Sequence, residues 1–289
     1  MKILNVIGAG RVGRTLAALW ANHSIFSIQG VLDATLEGAH AAVTFIGAGT
    51  AADEVRSMRA AHVWMLTTPD SRIRSACEAL AACGVLRHGD VVFHCSGALG
   101  ADELSAAAQL GASTASVHPL KTFADPAIAR RTFAGTYCAS EGDAGALDVL
   151  TPAFEAIGAR VSRIEAQYKT LYHAASVIVC NDLVALIEAG LRCYEQAGLS
   201  RATSLAMIAP IVRDTIQNVL DLGTTRALTG PIARGDEDVV ARQVEALSAS
   251  QPQLANIYRD LGVIAVELAR EQGGAREEAL TRIEALLTR

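Results

Sequence analysis

Over the first 164 residues, short apolar runs alternate with amphipathic stretches. Runs at 1–7, 26–32, 62–67, 90–95, 113–117, 133–139 and 159–163 are five to seven residues long, mostly without polar alternation. Such runs predict strands covered on both faces. The stretches between them carry helical periodicity, at 14–22, 35–44, 72–83, 101–110 and 144–157. Strands alternating with helices predict an α/β fold with a doubly wound, mostly parallel sheet. The pattern changes near Glu165, after which no strand is predicted. One long helix is expected over 167–197, ending at Gly198, and a second over 201–222, bent at Pro210. A loop at 223–235 follows, then a helix capped by Asp236, a fourth opened by Pro252 and a fifth from 275 to the end. The expected domains are a sheet domain, 1–164, and an all-helical domain, 165–289.

The first strand runs directly into Gly8-Ala9-Gly10-Arg11-Val12-Gly13, and a helix follows at once. Strand, GxGxxG turn and helix is the arrangement that binds a dinucleotide. The first glycine permits the tight turn and the second lets backbone approach the pyrophosphate. The third lets helix and strand pack closely, and the helix N-terminal amides face the phosphates. Asp33 closes the second apolar run about twenty residues further on, where a carboxylate accepts hydrogen bonds from an adenosine ribose. The pattern therefore predicts NAD or NADP as cofactor, with NAD favoured by Asp33, while Arg11 in the turn offers a cation for NADP. A second glycine pair, Gly47 and Gly49, leads into a short acidic segment and reads as a turn entering a minor strand.

Composition narrows the partners. The net charge of −5 gives no reason to expect nucleic acid or an anionic membrane surface. No unbroken run of about 18 apolar residues stands in the chain, so no membrane span is expected. The first strand begins almost at Met1, leaving no targeting segment, and a cytoplasmic location is expected. The six cysteines show no metal-ligand spacing, so no metal is expected and the thiols read as free and mostly buried.

Ligands of an open α/β sheet bind beyond the carboxyl ends of its strands. Thr67, Thr68, Pro69 and Asp70 follow the strand at 62–67, His94, Cys95, Ser96 and Gly97 end or follow the next, and His118 and Lys121 follow the one after. The nicotinamide is expected over Thr67, Thr68, Pro69 and Ser96. Histidine is the natural proton donor near neutral pH. His94 reads as a core residue at a strand end; His118, just before Pro119, and His173, on the long helix, are the candidate donors. His173 and Asn181 are spaced to share a helix face.

These residues carry a resemblance. Segments 227–236 (ALTGPIARGD), 94–98 (HCSGA), 118–126 (HPLKTFADP) and 171–175 (LYHAA) resemble the Rossmann-like oxidoreductases whose helical C-terminal domain is of unknown function. More widely the chain resembles the 6-phosphogluconate dehydrogenase-like superfamily, with ketopantoate reductases, pyrroline-5-carboxylate reductases and prephenate dehydrogenases among its members. Ketopantoate reductases carry Lys-x3-Asn-x3-Asn on the first helix of the second domain. His173, Val177 and Asn181 occupy the matching positions, so histidine stands in place of the lysine. His118-Pro119 resembles the His-Pro of prephenate dehydrogenases, and Thr229-Gly230-Pro231 the substrate loop of pyrroline-5-carboxylate reductases. Family members often show Ser-Arg near Asp33, suited to a 2′-phosphate; this chain departs from that with Asp33-Ala34.

The resemblance implies an NAD(P)-dependent oxidoreductase that transfers a hydride between nicotinamide and a small oxo acid, as a ketopantoate reductase does, or an imine, in a cleft between the domains. His173, Asn181 and His118 are the expected catalytic residues. Lys121, Thr229, Gly230, Pro231 and Arg234 are expected to bind substrate, the two cations facing a carboxylate. A homodimer joined through the helical domain is expected. A non-catalytic dinucleotide sensor and a deazaflavin-dependent reductase are the alternatives, since both would use the same glycine turn.

Overall fold

A computed structural model of the chain describes residues 1–288. The chain divides into two compact units, Met1–Asn181 and Asp182–Arg289.

The first unit is built on one eight-stranded sheet: β1 (Lys2–Ile7), β2 (Phe26–Leu32), β3 (Thr50–Ala52), β4 (Val63–Leu66), β5 (Val91–His94), β6 (Ser113–Pro119), β7 (Tyr137–Gly142) and β8 (Arg160–Arg163). Their spatial order is β3-β2-β1-β4-β5-β6-β7-β8. The chain reverses direction of build between β1 and β4, which opens a crevice at their carboxyl ends. All pairs are parallel except β6 with β7. The helices are α1 (Arg11–Asn22), α2 (Leu36–Ile46), α3 (Asp70–Ala82), α4 (Ala144–Glu155) and α5 (Lys169–Ser176), with shorter turns between. Apolar side chains fill both faces of the sheet. On one, Trp20 packs edge-on against Phe26, Phe93 and Phe154 and donates its indole N–H to the Ala153 carbonyl. On the other, Trp64, Leu66, Ile73 and Leu80 form a second core layer.

Four details differ from the sequence reading. The strand expected over 133–139 lies at Tyr137–Gly142 instead, with Phe133 buried in the turn before it. It pairs antiparallel with β6 at a contact so close that a Cβ on Gly142 would stand 2.4 Å from the Thr114 carbonyl oxygen. The helix expected over 101–110 is a 3₁₀ turn followed by a single α turn. The long helix is interrupted by a π turn at Val177–Asn181. Its first turns, from Lys169 to Asn181, count with the sheet unit because Lys169 and Tyr172 bond to side chains of β6 and β7. Gly47 ends α2 in the left-handed conformation and leads to β3, as expected of the second glycine pair.

The second unit is helical: α6 (Asp182–Gln196), α7 (Arg201–Leu222), α8 (Glu237–Ser250), α9 (Pro252–Gln272) and α10 (Glu277–Leu287), with two single-turn helices at Thr224–Ala227 and Pro231–Arg234. Its core is Ile232, Val240, Val266, Leu280, Ile283 and Leu287. The helix over Ala166–Gln196 bears on membrane spans by length and composition alone. It has the length and composition to cross a membrane, with a mean hydropathy of 1.7 over its most apolar window. Scattered polar residues interrupt the apolar run, yet the mean over the window stays high. Only 6% of the window is buried in the chain itself.

Candidate active site

The glycine turn forms a cradle at the end of β1. Gly8 has φ +88°, and a Cβ there would stand 2.5 Å from the Thr68 amide nitrogen. Its N–H and that of Ala9 both donate to the Leu32 carbonyl, locking the turn against β2. At Gly13 a Cβ would meet Thr67 Oγ1 at 2.3 Å, and that hydroxyl donates to the Gly8 carbonyl at 2.7 Å. Gly10 faces open space, with nothing within 4 Å of a built Cβ. The first and third glycines are thus required by packing and the second leaves an approach to backbone, as a dinucleotide cradle requires.

Asp33 stands at the end of β2 beside Arg14, whose Nη2 lies 3.7 Å from its Oδ2. Arg14 also donates through Nε to the Ala9 and Gly10 carbonyls. The cation beside Asp33 is therefore Arg14, one helical turn beyond the exposed Arg11.

Between the ends of β1, β4 and β5 lies a cavity of about 110 Å³, lined by Val12, Leu66, Thr67, Thr68, Asp70, Cys95 and Ser96. Thr68 Oγ1 is buried there without a hydrogen-bond partner among the described residues. The Ser96 hydroxyl donates to Asp70 Oδ2 at 2.8 Å and accepts the amides of Ala98 and Leu99, so it organises the turn after β5. Pro69 is exposed at the head of α3.

His94 is fully buried and belongs to the scaffold. Its Nε2–H donates to the Gly100 carbonyl and Nδ1 accepts the Ser96 amide, which fixes the neutral tautomer. Burial pushes its pKa down to about 4. Burial also raises the thiols of Cys95 and Cys138, the latter to about 12, which makes them poor nucleophiles.

Three aromatic side chains meet beyond β5 and β6. His118, at the end of β6, shares a 3.2 Å hydrogen bond through Nδ1 with the Tyr172 hydroxyl. Its pKa is lowered to about 4, first by burial and then by the positive charge of Lys169. Burial likewise raises the Tyr172 hydroxyl. His173 packs edge-on against His118. A Cβ on Gly97 would stand 2.5 Å from His173 Nδ1 and 2.9 Å from His118 Nε2, so two imidazole nitrogens converge above that glycine. His173 Nδ1 is buried and has no hydrogen-bond partner among the described residues.

Lys121 Nζ donates to the Thr132 carbonyl at 2.7 Å. Asn181 ends the π turn and is exposed. Thr229, Gly230, Pro231 and Arg234 lie in the second unit; Gly230 has φ +101°, Pro231 opens a single helical turn, and Arg234 pairs with Asp236 at 2.8 Å. The sequence reading missed Tyr172, Lys169 and Glu141. Helical spacing offered a signal for the first two, since Lys169 stands one turn before His173 and Tyr172 beside it. Glu141 carried none, because its strand was placed too early.

Residues 2–119 match the family profile of a Rossmann-like domain, and residues 136–264 that of a domain of unknown function, DUF2520. No curated protein matches the chain by sequence. Among solved structures, protein TM1727 from Thermotoga maritima is similar at 24% identity and a TM-score of 0.76, over 94% of this chain and all of that one. An imine reductase from Myxococcus stipitatus in complex with NADP+ has 15% identity and a TM-score of 0.64, over 97% and 99% of the two chains. A pyrroline-5-carboxylate reductase from Coxiella burnetii has 15% identity and a TM-score of 0.59, over 99% and 98%. At these identities the likeness establishes a shared fold.

Proposed function

From a chain that joins a Rossmann-like domain to a DUF2520 domain, we infer an NAD(P)-dependent oxidoreductase that reduces the carbonyl of a small oxo acid or an imine. The observation that carries this reading is the convergence of His118 Nε2 and His173 Nδ1 over Gly97, next to Ser96 and the cavity it lines. Two proteins that share the fold, an imine reductase and a pyrroline-5-carboxylate reductase, are reductases by name, in keeping with it.

The residues fit a nicotinamide dinucleotide. Gly8, Ala9, Gly10, Arg11, Val12 and Gly13 would hold the pyrophosphate and Asp33 the adenosine ribose. Thr67, Thr68, Pro69 and Ser96 would flank the nicotinamide, where the unpartnered Thr68 hydroxyl supplies a free hydrogen-bonding group. When bound, the cofactor supplies the hydride. The chain's own part is to orient the substrate, exclude water and hold a proton near the substrate heteroatom. We assign that proton to His173, whose Nδ1 is unpartnered, and orientation of the substrate to Asn181. His118 is held neutral near pH 7 and coupled to Tyr172, which suits it to donate a hydrogen bond through Nε2 rather than to surrender a proton. Lys121, Thr229, Gly230, Pro231 and Arg234 are assigned to substrate binding by the family resemblance, and Asp33 favours NAD.

We also place the protein in the cytoplasm as a homodimer joined through residues 167–289. Leu171, Ile178, Val184 and Leu186 are more than two-fifths exposed along the long helix, as are Leu205, Ile211 and Leu220 on α7. A second copy is the partner such a surface fits.

Oxidation of NADH and NADPH against a panel of oxo acids and imines tests the activity. With the substrate found, His173→Ala should lower turnover about a hundred- to ten-thousand-fold while nicotinamide binding is kept. Wild-type turnover in His173→Ala, with loss in His118→Ala, would move the proton to His118.

A further inference from the structure

Beneath the two histidines lies a pair of charges that the chemistry above does not use. Lys169 is 2% exposed and Glu141 3%, and Lys169 Nζ stands 3.3 Å from Glu141 Oε1. The same ammonium donates to Ser116 Oγ. Each partner reaches further. Glu141 Oε1 also accepts the Ala101 amide at 2.9 Å, and Ser116 Oγ donates to the Ser96 carbonyl at 3.2 Å. One buried cation is thereby linked to β6, to β7 and to the segment after β5 that includes Ser96 and Ala101.

Burying two charges gives up their hydration, and an apolar pair of the same volume commonly gives equal or greater stability. What hydrogen-bonded charges add over apolar packing is direction. Apolar side chains tolerate rotation and sliding of a helix, whereas an ammonium clasped by a carboxylate and a hydroxyl does not. Lys169 is the first residue of α5 and lies one turn before His173, on the same face. Tyr172, between them in sequence, makes the other polar contact of this helix with the sheet.

We propose that Lys169 is a positioning residue for the reduction. Clasped by Glu141 and Ser116, it fixes the rotation and depth of α5 on the sheet and so sets where Tyr172 and His173 meet His118. The inference rests on the reductase reading of the site. The groups facing His118 agree with it: Lys169 and His173 disfavour its protonation, Asp70 favours it, and Tyr172 bonds to Nδ1. Lys169 therefore acts on His118 both by geometry and by charge.

The test uses the full chain with ¹³C-labelled histidine, followed by NMR across pH, together with NADH titration and turnover. Lys169→Met leaves Glu141 buried and unpaired and is expected to fold poorly. The double variant Lys169→Met/Glu141→Gln removes both charges and is expected to stay near wild-type stability. In the double variant, NADH affinity should hold within severalfold. The His118 midpoint should rise as the neighbouring cation is lost, and the His173 ring should move relative to His118. On a substrate that the wild type reduces, kcat should fall about a hundredfold, as for a misplacement of about 1 Å, with a smaller change in KM. A folded double variant in which the His118 and His173 rings keep their wild-type NMR contacts overturns the proposal, as does one with wild-type kcat. If the wild type reduces nothing in the panel, the reductase reading fails by itself, while the ring-to-ring contacts of His118 and His173 in the NMR spectra still decide whether Lys169 positions the histidines, since a raised His118 midpoint alone reflects only the lost charge.

Discussion

The imidazoles of His118 and His173 stand 5.9 Å apart between ring centres, at 80° to each other, and Gly97 is the residue that leaves room for both. A methyl group there would overlap His173 Nδ1 at 2.5 Å and His118 Cε1 at 2.8 Å. Both obstacles are ends of side chains, so the backbone has no need to move and the fold should survive. The rings, however, would have to part. Gly97→Ala should therefore lower turnover about a hundredfold, the cost of displacing reacting groups by about 1 Å, while NADH affinity changes by no more than severalfold. Steady-state kinetics beside a fluorescence titration read both quantities. An unchanged kcat would show that the meeting of the two rings over Gly97 has no part in the reaction.

Cofactor choice turns on Asp33 and Arg14. A carboxylate that accepts the ribose hydroxyls repels a 2′-phosphate, so NADH should bind more tightly than NADPH. Arg14, 3.7 Å from Asp33, partly offsets that charge. Arg14→Ala should then widen the preference for NADH, and Asp33→Asn should narrow it. Loss of a charged hydrogen bond costs about 1.5–3 kcal/mol, so Asp33→Ala should weaken NADH binding by about ten- to a hundredfold. Titrating both reduced cofactors against the three variants decides the matter. Tighter NADPH binding by the wild type would count against Asp33 as the determinant.

The alternation of apolar runs and amphipathic stretches makes the sheet, the glycine cradle and the helical second unit legible in the sequence. Local rules suffice there, because each run is buried by its own neighbours. The run at 133–139 misled because Phe133 is apolar for a reason other than pairing: it is buried in a turn, and the strand starts four residues later. That shift hid Glu141, and with it the partner of Lys169. A lysine near the start of an exposed-looking helix reads as solvated unless the carboxylate that buries it is known. Arg14 was missed for a similar reason. Arg11 is nearer the phosphates in sequence, but the helix turns Arg14 toward β2. His94 was legible as scaffold from its place at a strand end, whereas the edge-on contact of His118 with His173 joins residues far apart in the chain.

The apolar surface of the long helix yields a prediction about mass. Light scattering at micromolar concentration should give twice the mass of the 289-residue chain. Leu171→Glu/Ile178→Glu, at two exposed apolar positions, should shift the mass toward the monomer. A monomeric wild type would mean that something other than a second copy covers this face, and lipid vesicles are then the next partner to assay.

Stability should fall with acid over a range set by the buried histidines. His94 is fully buried and neutral, with a pKa of about 4 against an ordinary value near 6.5. The folded chain therefore declines a proton that the unfolded chain accepts once the pH drops below about 6.5. With more protons bound in the unfolded state, stability rises with pH through this window and falls as pH is lowered. The contribution is fully present above about 6.5 and lost by about 4. For His94 alone the loss between pH 7 and pH 5 is about 2 kcal/mol, and His118, also lowered to about 4, adds to it in the same direction. Thermal melting followed from pH 7 to pH 5 should show a drop of several degrees, before most carboxylates begin to titrate. His94→Gln retains a neutral donor for the Gly100 carbonyl and an acceptor for the Ser96 amide, but it has no proton to gain. That variant should melt lower than the wild type at pH 7, with a shallower dependence on pH. Equal slopes in the two proteins would show that His94 is not the group the acid acts on.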